Sequence, residues 1–453
     1  MDKKVWVPFS LALAGGVVLV KYLASKRKPG KVRPPINWAG NLTYCTDKVH
    51  YPTTVEQVQT IIRQPERFRA LGSKHSFNTI ADSKENLISL QNMSRIVSLD
   101  QEANTVTVEG GMRYGELAVF LHENGYAVPN MASLPHITVV GACSTATHGS
   151  GIQNGNLATS VAAVEFVNAA GELVSMSRQK DGEVFNGAVV ALGALGVVTK
   201  ITLDLVPSFQ MTQVVYRNMP MQVLKDNLME VMSKGYSVSL FTNWKNLNIN
   251  QVWIKDKTEG EETSNPDAEL FGAKLATQKM HPIDDQSAEN ATDQLGVPGY
   301  WFERLPHFKM GFKPSAGAEL QSEYFVPLEH GYEAMMAIAS LQEKLTPHLF
   351  ISEIRAIKAD ELWLSPQYQQ TTIAFHFTWK QEVEAVMALL PLIEEQLAPF
   401  NPRPHWGKLF TMAPAVLQSR YEKLAAFKQL LQQHDPEGKF RNDFLHQYLY
   451  SAE

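Results

Sequence analysis

The stretch Pro129–Gly155, PNMASLPHITVVGACSTATHGSGIQNG, is crowded with glycine, alanine, serine and threonine. Small side chains let backbone N–H groups approach a ligand closely, and several in succession form an anion cradle that needs no lysine. A pyrophosphate is the natural tenant of such a cradle. Neither G-x-G-x-x-G after a strand nor G-x-x-x-x-G-K-[ST] occurs, so a Rossmann or P-loop nucleotide site is not supported. Taken alone, the composition equally describes a glycine-rich surface loop.

Upstream lies a second tight segment, RALGSKHSFN at Arg69–Asn78, which holds His75 among small residues. Downstream comes ALGALGVVTKITL at Ala191–Leu203. Between and around them strands and helices interleave. YPTTVEQVQTIIRQ reads as a helix with Thr53 as N-cap and Glu56 completing a capping box. NTVTVEGG alternates as a strand that stops at Gly110 and Gly111. RYGELAVFLHENGYAV is a helix closed by Gly125, and VTKITLDLVP is a strand closed by Pro207.

Beyond Pro207, YSVSLFTNW, NQVWIKDK, SEYFVPL, LFISEIRAI and TTIAFHFTWK read as strands. A polar, acidic surface loop is expected from Thr258 to Glu269, and a helix over EHGYEAMMAIASLQEKL. Glu353 and Arg355 sit two apart on a strand and therefore face one side of a sheet; His376 and Thr378 repeat the spacing on another. Two polar pairs on otherwise apolar strands predict a lined pocket, although a structural ion pair would account for the first. Lys408, within RPHWGKLF, is either a solvated lysine or a buried one that needs an anionic partner.

At 453 residues the chain exceeds what one hydrophobic core usually serves. With 41 Lys+Arg against 46 Asp+Glu, it has no basic excess for displacing counterions from nucleic acid. Its two cysteines, Cys45 and Cys143, are far apart and in no C-x-x-C spacing, so neither a disulfide framework nor a zinc site is expected. Residues 1–36 differ from the rest. Val5–Val20 is uncharged and would extend about 24 Å as a helix, somewhat short of the roughly 30 Å hydrocarbon core, and Tyr22–Ala24 would complete a span if Lys21 snorkels. Lys26, Arg27, Lys28, Lys31 and Arg33 follow it. The positive-inside bias then predicts a membrane anchor with the downstream domain on the cytoplasmic side; the alternative is an interfacial or packed helix on a cytoplasmic protein.

Together, LGSKHSFN, PNMASLPHITVVGACSTATHGSG and ALGALGVVTKITL resemble the FAD-binding domain of the vanillyl-alcohol oxidase (VAO, or PCMH-type) flavoprotein superfamily. SEIRAI, FHFTWK and RPHWGKLF are similar to the substrate-site motifs of the alditol (xylitol or sorbitol) oxidases, relatives of the aldonolactone oxidases. The resemblance runs from NWAGN at Asn37 to DPEGKFRNDF near the C-terminus. It implies an α+β, two-domain fold: an FAD-binding domain over 37–207, a substrate (cap) domain over 208–405, and a segment over 406–453 returning to the flavin.

By the same resemblance, FAD is held by Ala70, Leu71, Gly72, Ser73, Lys74, His75, Ser76, Ser133, Thr138, Gly141, Thr145, Ala146, Thr147, His148, Val198 and Lys408, with His75 bonded covalently to it. Lys74 stands where relatives often carry glycine. If the turn requires positive φ there, the lysine costs about 1 kcal/mol or more. Ser133, Glu353, Arg355, Thr378 and Lys408 are expected to bind substrate, and Arg355, Lys408 and His376 to serve catalysis. His376 and water are alternative acceptors of the hydroxyl proton.

The implied reaction is oxidation of a polyol's terminal primary alcohol to the aldose, with O2 reduced to H2O2. An aldonolactone oxidase, a dehydrogenase feeding a membrane electron acceptor, and a membrane-tethered flavin-binding scaffold without turnover are the rivals.

Overall fold

A capping exchange starts the first long helix, Val55–Ile62: Thr54 accepts from the Gln57 amide, and Gln57 Oε1 accepts from the Thr53 amide at 2.8 Å. The box expected at Thr53 and Glu56 is therefore displaced by one residue, because Gln57 is the side chain that reaches back. The computed structural model describes residues 33–259, 263, 266–309, 311 and 319–451, and the expected anchor at Val5–Val20 lies outside them. Among the described residues no helix is long and apolar enough to cross a membrane.

The N-terminal half forms small sheets. Val49–His50, Asn86–Ile88 and Phe68–Ala70 pair in parallel, and Phe68–Ala70 runs directly into the His75 segment. An antiparallel five-stranded sheet follows in the spatial order Ile96–Asp100, Thr105–Glu109, Val197–Asp204, Val161–Val167, Leu173–Ser177. The ALGALG stretch makes the turn into its central strand. Leu192 and Gly193 have φ of 54° and 66° there, and their carbonyls accept from the buried Arg69 guanidinium at 2.8 and 2.9 Å.

Residues 210–404 build an antiparallel ten-stranded sheet. Its middle carries Ser237–Thr242, Leu349–Ile357, Thr372–Lys380 and Glu319–Pro327 side by side. The period of two sorts these strands into two faces. Ser322, Ser352, Trp379 and Phe377 point one way, with Trp244 Nε1 donating to Ser352 Oγ at 2.8 Å and Trp379 Nε1 to Ser322 Oγ at 2.9 Å. Helices Gly331–Ala339 and Val383–Leu397 cover the sheet. The helix expected across 329–345 breaks near Leu341 into Gly331–Ala339 and Gln342–Leu345. Glu323, His376 and Glu353 occupy the opposite face.

Backbone bonds fasten this second face to the N-terminal loops. Gly151 N donates to Ala356 O, and Lys358 N to Asn154 O, both at 2.9 Å. The RPHWGKLF segment is held on both sides: His405 N donates to Glu323 O and Leu409 N to Gln321 O, while Phe77 N donates to Gly407 O and Asn78 Nδ2 to Lys408 O.

Candidate active site

These fastenings enclose a cavity of about 850 Å³ between the two sets of elements. One wall is backbone. The amides of Gly72, Ser73, Lys74, His75 and Ser76 line the cavity and find no protein acceptor among the described residues. Ser73, His75 and Ser76 are half-buried and Gly72 and Lys74 exposed, so the run of free donors stands open to a ligand, and successive amides of this kind suit an anion. Gly72 is needed for close approach, since a Cβ there would lie 2.7 Å from Thr138 Oγ1. The turn is made by Lys74 in the left-handed region at φ 63°, as the position's glycine preference predicts.

His75 stands on this wall. Its ring stacks on Trp38 with centroids 5.0 Å apart and planes 17° from parallel, and its Nδ1 lies 3.2 Å from Ser73 O. Nε2 has no partner among the described residues. Burial pulls the imidazolium down to about 4, so the ring is neutral at ordinary pH. Amides, small residues and a neutral imidazole suit a dinucleotide with a diphosphate. The donor set therefore fits FAD.

The other wall is made of side chains. Register places Glu323 opposite His376 and His376 opposite Glu353, so the three cross the sheet in one row. Lys408 reaches into it from the C-terminal segment, donating to Glu323 Oε2 at 2.7 Å and to His376 Nδ1 at 2.8 Å. Arg355 Nη2 donates to Glu323 Oε1 at 2.8 Å, and its Nε lies 3.5 Å from Glu353 Oε1. That Nε is buried without a hydrogen-bond acceptor. His148 Nε2 also meets Glu323 Oε1, at 3.2 Å.

Electrostatics follow from this packing. Burial would raise the Glu323 carboxyl, but Lys408, His148 and Arg355 together hold it well below the usual carboxylate range. Glu353, likewise against the effect of burial, is held low by Arg355 and His307. Burial pulls the Lys408 ammonium below its ordinary value, opposed by Glu323. Burial and then Lys408 keep His376 neutral. Two carboxylates and two cations thus share a buried row whose charges balance.

Models of known families match both walls. Residues 46–177 match the FAD binding domain, and residues 318–448 match D-arabinono-1,4-lactone oxidase. An alditol oxidase from a Streptomyces species is 45% identical over 417 residues, covering 91% of this chain and 98% of the relative. The chain belongs to the alditol oxidase family. More distant relatives of this family member include the L-gulono-1,4-lactone dehydrogenase of Mycobacterium tuberculosis, 27% identical over 91% of this chain and 98% of the relative. The L-gulonolactone oxidase of Bos taurus is 25% identical over the same shares. Among solved structures a solvent-stable cholesterol oxidase has a TM-score of 0.74 at 15% identity, covering 91% of this chain and 96% of its own. That likeness concerns the fold alone, an α+β two-domain FAD-binding oxidase.

Within this alditol oxidase family chain, every residue expected at the site lines the one cavity except Ala146. Ala146 is fully buried at φ 53° in the turn after the helix Val139–Ser144, between the cavity-lining Thr145 and Thr147. Lys408 is largely buried and paired, so the solvated alternative fails. The proposed base role of His376 meets a ring with both nitrogens engaged, Nδ1 by Lys408 and Nε2 at 3.2 Å from Thr378 Oγ1. Glu323, the hub of the row, was not singled out from sequence. Its signal was present as the alternation Glu319, Gln321, Glu323, the same spacing that exposed the other two strands. His307, Lys255 and His405 carried no such signal.

Proposed function

We propose that this chain oxidises the terminal primary alcohol of a polyol to the aldose, one O2 being reduced to H2O2 per turnover. The observation that carries the reading is the single cavity with free amides on one wall and the Glu353, Arg355, His376, Thr378 and Lys408 row on the other. When bound, FAD supplies the hydride acceptor that the side chains lack.

Gly72–Ser76, Thr138, Gly141, Thr145, Thr147, His148 and Val198 would hold the cofactor. Lys408 has two of its N–H groups on Glu323 and His376, which leaves one for a substrate oxygen. With Arg355 it stabilises alkoxide character at the reacting hydroxyl, a role suited to donors that are already held in place. Glu353, Thr378 and Ser133 take the remaining hydroxyls, because a hydroxyl buried without a partner costs roughly 1 to 3 kcal/mol. A base role for His376 would first require breaking its bond to Lys408 or Thr378, so we assign the ring to holding the Lys408 ammonium and the hydroxyl proton to water in the cavity.

Three finer points belong to the same proposal. His75 is bonded covalently to FAD through its unpartnered Nε2. Residues 37–207 form the FAD-binding domain, 208–405 the substrate domain, and 406–453 the returning segment. Val5–Val20 anchors the protein in a membrane with its catalytic body on the cytoplasmic side, a reading that rests on the apolar run and the basic residues after it.

The deciding experiment is anaerobic mixing with xylitol, sorbitol and L-gulonolactone while watching flavin bleaching, followed by admission of oxygen and peroxide measurement. The match of 318–448 to a lactone oxidase makes L-gulonolactone the informative control; bleaching by it alone would favour an aldonolactone oxidase. For the covalent bond, the denatured wild type should keep yellow fluorescence on a gel and His75→Ala should lose it. Quantitative release of flavin by acid precipitation of the wild type would refute the bond.

A further inference from the structure

Behind Glu353 lies a buried chain of polar groups that the proposed chemistry does not use. Lys255, on the strand Asn248–Thr258, is 1% exposed. Its Nζ lies 2.7 Å from Leu305 O, 3.0 Å from Pro306 O and 3.1 Å from His307 Nδ1. Burial pulls Lys255 down to about 7, and an amine there can donate or accept. Glu353 fixes the direction: an ionised carboxylate only accepts, so the ring proton sits on Nε2 and Nδ1 accepts from Lys255. That nitrogen lies 2.7 Å from Glu353 Oε1 and donates to it. The ring is further fixed by edge contacts with Phe241 and Trp253.

The consequence falls on Glu353. Its Oε1 is occupied by His307 and faced by Arg355, whereas Oε2 has no protein donor among the described residues. Glu353 lines the cavity. Lys408 contacts Glu323 and His376, and Glu353 stands one strand further along the row, a step of roughly 5 Å. Its free oxygen is therefore displaced along the cavity from the point where Lys408 meets the reacting hydroxyl.

We propose that Lys255 and His307 are positioning residues that aim Glu353 Oε2 at a hydroxyl remote from the reacting carbon, and thereby favour long polyols over short ones. This rests on the polyol reading of the site. The two hydroxyls of a two-carbon diol sit on adjacent carbons, so it has none that far along and gains little from the arrangement.

The test compares xylitol with ethane-1,2-diol in the flavin-loaded wild type and in His307→Leu, His307→Gln and Lys255→Met. His307→Leu should raise KM for xylitol roughly tenfold, with kcat changing less than KM, while kcat/KM for ethane-1,2-diol moves by less than about threefold. Glutamine can accept from Lys255 and donate to Glu353, so His307→Gln should recover most of the loss. Lys255→Met, which leaves the histidine in place but removes the donor to its Nδ1, should fall between.

Equal losses on both polyols, a loss confined to kcat, or a glutamine variant no better than leucine would overturn the proposal. The 15N-histidine spectrum adds a readout independent of substrate. The signal missing from His307→Gln should show the neutral Nε2–H form in the wild type, and an Nδ1–H form or an imidazolium would overturn the positioning role. Absence of turnover with every polyol would instead sink the proposed function and leave the tautomer test standing.

Discussion

The two walls of the cavity solve the same problem, binding a polar molecule in a partly dry space, with opposite means. The loop wall offers backbone amides from Gly72 to Ser76, whose donors do not depend on side-chain identity and need only a turn that exposes them. The sheet wall offers ionised side chains, each held by another: Lys408 and Arg355 by Glu323, Glu353 by His307, and His307 by Lys255. A backbone site therefore depends on local conformation, and a side-chain site depends on a network in which every removal strands a partner.

That contrast is broken most severely at Glu323. Glu323→Leu leaves Lys408, Arg355 and His148 without their shared carboxylate in a site where Glu323 itself is fully buried. Stability should fall by about 3–5 kcal/mol, as for a buried pair stripped of one partner, and urea unfolding measures it. A loss under about 1 kcal/mol would show that water enters and solvates the two cations.

Next in size is the catalytic effect at Lys408. Lys408→Met keeps most of the volume and removes the charge, so flavin reduction in stopped flow should slow by roughly 10²-fold or more, while substrate binding weakens less. Arg355→Met should behave similarly. Because both cations bind one carboxylate and are assigned to one oxygen, the double variant should lose less than the product of the single losses. A change within about twofold at Lys408, the size expected of an exposed lysine, would remove it from the chemistry.

Acid should weaken the sheet wall through several histidines and the loop wall through His75 alone, which burial also pulls down to about 4. Burial pulls His307 down to about 4 and holds His148, His376 and His405 below their ordinary values. The unfolded chain takes up protons near pH 6.5 that these folded rings refuse. Their contribution to stability is thus present above about pH 6.5 and is lost as pH falls toward 4. Glu323 and Glu353, both held low, add a further loss that starts only below about pH 4.3. Urea midpoints should decline steadily from pH 7 to 5, and a flat profile there would mean the histidines are hydrated.

The smallest effect belongs to the loop wall. Lys74→Gly relieves a left-handed residue at φ 63° but adds freedom to the unfolded chain, for a net gain of a few tenths to about 1 kcal/mol with flavin loading unchanged. A destabilisation of more than about 1 kcal/mol would show that the Lys74 side chain contributes a contact of its own.

Much of the sheet wall was legible because strands have a period of two. Glu353 with Arg355, and His376 with Thr378, stood out as polar pairs among apolar neighbours, and the structure puts them on one face. Glu323 obeyed the same rule on Glu319–Pro327 and was passed over, since a lone glutamate in a strand-like run has no partner visible nearby in the chain. Lys255 and His307 were invisible for a stronger reason: their bond spans 52 positions, and nothing local distinguishes a buried lysine from a solvated one.

Local chemistry, then, is what the amino-acid order determined unaided: turns at Lys74 and the glycines, alternation along the strands, small residues wherever a ligand must approach backbone. Those features act over a few residues and leave a direct trace in the string of letters. Partnership was decided only by the tertiary structure. Sheet register sets Glu323 beside His376 and Glu353, and the clamp on RPHWGKLF delivers Lys408 to them from a segment distant in sequence. An ion pair depends on separation in space and on exclusion of water, and neither is encoded at any one position.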